Sequence, residues 1–122
     1  MTKLAYESTP EFLKDLKKLS KKFPTLQEDL AVVQRNVIEL FHLQDIKNQA
    51  TFELQGFANT QCSFWKIKKF ACRSLKGRGA HSGIRLIYAY HSLEHRIVFL
   101  EMYFKAEQEN ETKERIKNYL KN

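Results

Sequence analysis

The sequence contains no long apolar run, and this absence excludes several classes of protein. No segment approaches the roughly 18–20 consecutive apolar residues that a membrane-spanning helix requires. Residues 1–7 also lack the long apolar segment of a signal peptide, so we expect a cytoplasmic protein. Four glycines and two prolines among 122 residues are too few for a collagen-like or low-complexity chain.

Residues that typically bind metals or act as nucleophiles are also scarce. The two cysteines, Cys62 and Cys72, match neither a CxxC pair nor a zinc pattern, and we expect both to be reduced thiols. We find no zinc-type ligand set and expect neither a bound metal nor a cofactor. The sequence lacks a Walker A loop and a Gly-x-Ser-x-Gly turn, which argues against nucleotide hydrolysis and acyl transfer.

The chain has enough apolar and aromatic residues to build a hydrophobic core. Hydrophobic residues make up 43% of the sequence and aromatic residues 12%, which excludes a disordered polypeptide. A length of 122 residues is typical of one domain, so we expect a single domain over residues 1–122.

The net charge of +7 is concentrated in one stretch of the chain. Residues 61–105 contain nine basic side chains against two acidic ones, whereas residues 1–60 and 106–122 are each neutral overall. The basic residues of this stretch are Lys66, Lys68, Lys69, Arg73, Lys76, Arg78, Arg85, Arg96 and Lys105. A solvated surface needs only mixed charges, so this asymmetry favours a polyanionic partner, either a nucleic acid or an acidic protein.

The N-terminal half predicts a short strand followed by two helices. Leu4–Glu7 is typical of a strand, and Ser8–Glu11 carries capping, proline and acidic signals for a helix that ends near Lys22. Thr25 and Glu28 match a capping box for a second helix running to about Leu43. Because the connection is short, we expect an antiparallel helical hairpin.

The C-terminal half changes to the period of two that is typical of strands. Residues 44–62 show no clear pattern beyond Phe52, Leu54 and Phe57, which we expect to attach a loop or short element to the core. Strands are predicted at 64–71, 84–91 and 96–104, with a hairpin turn at 92–95 and a last helix at 109–120. The fold class is therefore α+β, with an N-terminal strand and helical hairpin packed on a mostly antiparallel sheet and a short C-terminal helix.

Two basic groups in this half suggest binding of a phosphate chain. Alternation along a strand places Lys66 and Lys68 on one face, roughly 7 Å apart. The glycine-rich loop 75–83 carries Lys76, Arg78 and His81 and leads into Arg85, and its glycines allow a close approach of phosphate. Tyr88 and Tyr90 have the opposite parity to Arg85 and are expected in the core.

The C-terminal half contains three runs, Trp65–Lys68, Gly77–Tyr88 and Ile97–Lys105. These runs resemble the RelE/ParE toxin superfamily of bacterial type II toxin–antitoxin systems. The helical hairpin and the C-terminal residues 115–120 fit the same resemblance. Within the superfamily, the RelE-like and HigB-like branch is the most similar. The resemblance extends over nearly the whole chain and implies a RelE-like fold.

The resemblance also implies an activity, which is cleavage of mRNA in the ribosomal A site without a metal ion. In that reaction the ribose 2′-hydroxyl attacks the adjacent phosphate. Lys66 and Lys68 match the strand lysines of the family, Arg85 matches the strand-opening arginine, and Lys105 matches the basic residue that ends the last strand. We assign Lys68 as base or phosphate ligand and Lys66 and Arg85 as phosphate ligands. Arg73, Lys76, Arg78, Lys105 and Tyr103 are the candidate RNA-binding residues.

The sequence departs from the family pattern after Lys105. RelE carries an arginine directly after this lysine and a catalytic tyrosine downstream, whereas here Ala106 follows and residues 107–112 contain no tyrosine. The general acid is therefore open among His81, Tyr103 and His91.

Three functions remain open from the sequence. The first is a ribosome-dependent endoribonuclease toxin, the second is a ParE-like inhibitor of DNA gyrase, and the third is a catalytically silent relative that binds RNA or an acidic partner. All three predict an acidic, partly disordered antitoxin as partner.

Overall fold

The computed structural model of the protein describes residues 3–57, 61–79 and 81–121. The strands and helices, in chain order, are β1 (Ala5–Ser8), α1 (Pro10–Lys22), α2 (Leu26–Val33), α3 (Glu39–Gln44), β2 (Thr51–Glu53), β3 (Ser63–Ile67), β4 (Ile84–His91), β5 (Arg96–Phe104) and α4 (Lys113–Lys121). A π-helical turn at Gln34–Ile38 joins α2 to α3, and a 3-10 turn at Ser92–Glu94 joins β4 to β5. Of the helices in the described ranges, none is both long and apolar enough to cross a membrane.

Helix α1 begins where the sequence predicts it, because Thr9 caps its first turn. The Thr9 hydroxyl accepts a hydrogen bond from the Phe12 amide at 3.2 Å. Pro10 follows at the start of the helix, where its missing N–H leaves no bond unmade. Phe12 and Leu19 form the buried side of α1 and pack it on the sheet.

The second helical segment covers the predicted range, but its predicted capping box is wrong. The Thr25 hydroxyl donates to the Asp29 carboxylate at 2.7 Å, and the side chain makes no cap hydrogen bond. Asp29 is 3% exposed, and a buried carboxylate requires donors, which explains why it takes the hydroxyl. The π-helical turn then interrupts the segment, which the apolar periodicity does not reveal.

In the described part of the chain, the strands form one mixed sheet in the order β1-β5-β4-β3-β2. β1 runs parallel to β5, and the other neighbouring pairs are antiparallel. This arrangement confirms the predicted α+β class with a mostly antiparallel sheet. Strand β2 lies within residues 44–62, the stretch that showed no clear pattern in the sequence. Residues 58–60 of this stretch fall outside the described ranges.

Two predicted boundaries in the C-terminal half are wrong. β3 ends at Ile67 rather than near residue 71, since Phe70 turns into the core and pairs with His81 in an isolated bridge. Helix α4 begins at Lys113 rather than at residue 109. Its start is delayed because the Thr112 amide donates to the buried Glu101 carboxylate at 2.7 Å, which holds the preceding residues against the sheet.

Each face of the sheet carries its own apolar cluster. The larger cluster lies under α1, α2 and the π-helical turn and includes Tyr88, with Tyr90 packed against it, as their parity predicted. The smaller cluster on the opposite face contains Phe64, Ile87 and Tyr103 and is covered by Ile116 of α4. Lys66 is two positions from Phe64 on β3, and Arg85 is two positions from Ile87 on β4, so both side chains lie on this second face.

Candidate nucleic-acid interface and active site

Four of the predicted basic residues meet around one small cavity at the edge of the second face. The cavity has a volume of about 140 Å³ and is lined by Lys66, Lys68, Arg85, Lys105, Glu109 and Asn110. These residues come from three stretches of chain, at the end of β3, at the start of β4 and after β5. A cavity with this many cations can bind the oxygens of a phosphodiester.

The strand pairing explains why these residues meet. Arg85 lies opposite Tyr103 in the β4–β5 register, and the Arg85 guanidinium donates to the Lys68 carbonyl at 2.7 Å. The Lys105 amide donates to the Gly83 carbonyl at 2.8 Å, which extends the same strand pair past its last register position. The backbone therefore fixes three of the four cations relative to one another.

Gly83 sits at the point where the glycine-rich loop enters β4. Its φ of +87° is in the left-handed region, which favours glycine. A Cβ atom here would lie 3.2 Å from the Phe104 ring and 3.9 Å from the Cβ of Lys105. A side chain at position 83 would therefore disturb the end of β5 beside the cavity.

The Lys68 ammonium lies over an aromatic ring on the neighbouring strand. Its Nζ is 4.7 Å from the centre of the Phe52 ring, and Phe52 is exposed on β2 opposite Lys66. An ammonium at this distance is attracted to the ring face. Phe52 therefore positions Lys68, a role that differs from the predicted attachment of a loop to the core.

Lys66 is buried and paired with a carboxylate that the sequence analysis did not single out. Its Nζ lies 2.8 Å from Oε1 of Glu111, and the two side chains are 10% and 12% exposed. Burial alone would lower the pKa of Lys66, but the interactions with Glu111 and Tyr103 together outweigh it and raise the pKa. The hydrogen bond from Lys66 lowers the pKa of Glu111 against the opposite effect of burial. Both groups are therefore ionised at neutral pH.

Tyr103 lies beneath the Lys66 ammonium, which is 5.7 Å from the centre of its ring. The residue is buried, and its hydroxyl interacts with the Lys66 ammonium. Burial raises the pKa of Tyr103, and this interaction partly opposes the shift.

The connection between β5 and α4 closes over this site. The Glu101 carboxylate accepts hydrogen bonds from the Thr112 amide at 2.7 Å, the Thr112 hydroxyl at 2.9 Å and the Gln108 side chain at 2.8 Å. These bonds place Glu109 and Asn110 at the cavity and Glu111 beside Lys66. In the sequence, the glutamates at every second position of residues 107–111 could have indicated that this segment contacts the basic residues.

Arg73, one of the predicted RNA-binding residues, lies elsewhere. Its backbone amide and its Nε donate to Asp29 at 3.1 and 3.0 Å, and its guanidinium also pairs with Glu28. These contacts raise the pKa of Arg73, with the Glu28 hydrogen bond as the largest cause. The geometry attaches the loop after β3 to the start of α2.

The glycine-rich loop presents its cations away from the lining of the cavity. Lys76, Arg78 and His81 are exposed, and none is among the described lining residues. Ala80 of this loop lies outside the described residues. The loop can contact a longer ligand, but the structure does not bring it together with the four clustered cations.

His91 lies at the opposite end of β4 from Arg85, roughly 20 Å away along the strand. Its Nε2 is 2.5 Å from the Tyr119 hydroxyl and 3.8 Å from the Cys62 sulfur. Burial lowers the pKa of His91 and raises that of Cys62 to about 11. Of the three candidates for the general acid, only Tyr103 therefore lies beside the clustered cations.

A search of protein-family models finds no match, and a search of curated proteins finds no similar sequence. A search of solved structures matches a chain in the crystal structure of the archaeal RelE–RelB complex from Pyrococcus horikoshii OT3. The match has a TM-score of 0.51 at 11% sequence identity and covers 85% of this chain and 97% of the other. The protein therefore has a RelE-like fold, as the resemblance in its sequence predicted.

Proposed function

We propose that this protein is the toxin of a type II toxin–antitoxin system, a ribosome-dependent endoribonuclease that cleaves mRNA without a metal ion and stops translation. The observation that carries the proposal is the meeting of Lys66, Lys68, Arg85 and Lys105 around one cavity on a RelE-like fold. We further propose that the chain acts as a single cytoplasmic domain.

The substrate proposed for this cavity is single-stranded RNA. Cations bind the phosphates of either nucleic acid, but RNA also supplies its own nucleophile, the 2′-hydroxyl. The cavity of about 140 Å³ is small, which suits one phosphodiester group. The exposed loop cations Lys76 and Arg78 are proposed to contact neighbouring phosphates or ribosomal RNA.

In the proposed reaction, the 2′-oxygen forms a bond to the adjacent phosphorus and the bond from phosphorus to the 5′-oxygen breaks. The products are a 2′,3′-cyclic phosphate and a 5′-hydroxyl. Lys68 either binds the phosphate as an ammonium or, as a neutral amine, accepts the proton of the 2′-hydroxyl, and Lys66 and Arg85 stabilise the negative charge that develops on the phosphorane. The Arg85 guanidinium is held by the Lys68 carbonyl, so it is oriented before the substrate binds.

The leaving 5′-oxygen requires a proton, and Tyr103 is the proposed donor. Tyr103 faces Arg85 across the β4–β5 pair, and burial raises its pKa, so its hydroxyl keeps its proton at neutral pH. Tyr103 would thereby replace the downstream tyrosine of RelE, which has no equivalent in residues 107–112.

The proposed partner is an antitoxin with acidic segments. The similar chain was solved as part of a RelE–RelB complex. We extend this partnership to the present chain because its full net charge lies in residues 61–105, which include the clustered cations. An acidic chain that covers this surface would neutralise it and exclude RNA.

Primer extension on mRNA in a translating extract tests the proposal. The wild type should cut inside reading frames only when ribosomes are present, and a Lys68→Ala, Arg85→Ala variant should not cut. A Lys14→Ala, Lys17→Ala variant is the matched control, since it removes the same charge from the exposed face of α1. Cutting by the control but not by the site variant would locate the activity at the cavity.

A catalytically silent RNA-binding relative is the second candidate. The pairing of Lys66 with Glu111 favours it, because this contact neutralises one of the clustered cations in the free protein. This candidate predicts RNA binding that depends on Lys68 and Arg85 without cuts. If the wild type neither cuts nor binds RNA, inhibition of DNA gyrase becomes the function to test.

A further inference from the structure

The segment between Lys105 and α4 is acidic and is fixed at both ends. Residues 107–111, here called the acidic strap, carry glutamates at every second position. At one end Glu107 pairs with Lys22 at 3.2 Å on the surface. At the other end Thr112 donates twice to Glu101, which also binds the strap through Gln108.

The strap places a carboxylate on a cation of the proposed active site. Glu111 is the partner of Lys66, and both side chains are nearly buried. Glu109 and Asn110 line the same cavity as Lys66, Lys68 and Arg85. A carboxylate oxygen offers an ammonium the same negative charge and acceptor geometry as a phosphate oxygen does. The free protein therefore already holds an anion where a phosphodiester is proposed to bind.

We infer that the acidic strap is an intramolecular competitor of RNA, with Glu111 occupying the phosphate position on Lys66 until RNA displaces it. The inference rests on the proposed RNA substrate and adds a closed state of the same site. The exchange keeps Lys66 paired throughout, because a phosphate takes the place of the carboxylate. A buried cation is thus never left alone, which would be the costly alternative.

The anchors of the strap allow the middle to move without unfolding the rest. The hydrogen bonds from Gln108 and Thr112 to Glu101 lie on either side of residues 109–111. Tyr103 lies beside the same ion pair, since the Lys66 ammonium is 5.7 Å from the centre of its ring. Release of Glu111 from Lys66 would therefore change the surroundings of the proposed proton donor in the same step.

The test measures the affinity for a short 2′-O-methyl RNA, which cannot be cleaved, by fluorescence anisotropy at low ionic strength. Glu111→Gln should bind about tenfold more tightly than the wild type, the order expected when one charge-assisted contact no longer competes. Glu107→Gln is the matched control, because it removes one charge from the same strap outside the cavity. The control should change the affinity by less than about twofold.

Hydrogen exchange of the wild-type protein provides a second measurement that needs no variant. Addition of the RNA should accelerate exchange in residues 109–111, while exchange at the anchors Gln108 and Thr112 and in β4 and β5 should slow or stay unchanged. If Glu111→Gln proves unstable, this result alone decides the question. Unchanged or slower exchange in residues 109–111 would show that RNA binds without displacing the strap and would overturn the inference.

The outcomes separate the strap from the proposed function. Equal RNA affinity of the wild type and Glu111→Gln would overturn the strap inference and leave the proposed RNA substrate intact. An equal increase in RNA affinity for Glu111→Gln and Glu107→Gln would reveal a general charge effect and would also overturn the strap inference. No RNA binding by any of the three proteins would overturn the strap inference, and ribosome-dependent cutting by the wild type would then still support the proposed function. Binding by Glu111→Gln alone would support the closed state.

Discussion

Replacing Asp29 with asparagine tests how the loop after β3 is attached to the helices. Asp29 is 3% exposed, and its two oxygens accept hydrogen bonds from the Thr25 hydroxyl, the Arg73 amide and the Arg73 Nε at 2.7, 3.1 and 3.0 Å. Asparagine keeps the volume but supplies only one oxygen acceptor. The Arg73 amide or the guanidinium therefore loses its partner.

The cost follows from these contacts. An amide left without an acceptor costs about 1–3 kcal/mol. Loss of the ion pair adds little, because the Arg73 side chain is exposed and can be solvated by water. We therefore expect a loss of about 1–3 kcal/mol in the free energy of unfolding. For 122 residues this lowers Tm by roughly 4–12 °C.

Glu28→Gln is the matched control for this substitution. Glu28 pairs with the same Arg73 but is 75% exposed, so its loss should cost less than about 0.5 kcal/mol. Urea unfolding of the three proteins at pH 7 measures both effects. Equal losses for the two variants, or a loss below about 0.5 kcal/mol for Asp29→Asn, would refute the assigned role of the buried carboxylate.

The same substitution has a predicted pH dependence. Burial alone would raise the pKa of Asp29, but the hydrogen bonds from Thr25 and Arg73 outweigh it and lower the pKa. The folded pKa therefore lies below the unfolded value of about 3.9. The stabilisation is present above that pH and is lost as pH falls through the folded pKa. The stability difference between wild type and Asp29→Asn should shrink below about pH 4.

Three further predictions concern other parts of the molecule. Burial lowers the pKa of His42 to about 4. Stability should therefore fall as pH drops from about 6.5 to 4, by on the order of 3 kcal/mol, and His42→Gln should remove this dependence in urea unfolding. Gly83→Ala should lower Tm more than Gly77→Ala does, because both have positive φ but only position 83 brings a Cβ within 3.2 Å of Phe104. Arg85→Lys should reduce mRNA cleavage about 100-fold although it keeps the charge, because the planar fork is lost.

The strands with the strongest pattern were predicted almost completely. β4 and β5 have the predicted bounds. Gly83 marks the start of the first run of β-branched and aromatic residues, and the turn at Ser92–Glu94 separates it from the second. β2 was not predicted, because a strand of three residues is too short to show a period. Its place in the sheet depends on pairing with β3, which no local pattern encodes.

The candidate site could be predicted only in part for a similar reason. The shared face of Lys66 and Lys68 follows from alternation, and the resemblance supplied Arg85 and Lys105. The pairing of Glu111 with Lys66 joins residues 45 positions apart, so it depends on the path of the chain after β5. The role of Arg73 likewise depends on Asp29, 44 positions earlier in the chain.

We propose that the cavity formed by Lys66, Lys68, Arg85 and Lys105 promotes attack of the 2′-hydroxyl on the adjacent phosphate. The chemistry of the new RNA ends in a translating extract tests this mechanism. We expect 2′,3′-cyclic phosphate and 5′-hydroxyl ends that require ribosomes and disappear with Lys68→Ala, Arg85→Ala. Absence of ribosome-dependent cuts, 5′-phosphate ends, or cuts that persist in this variant would refute it.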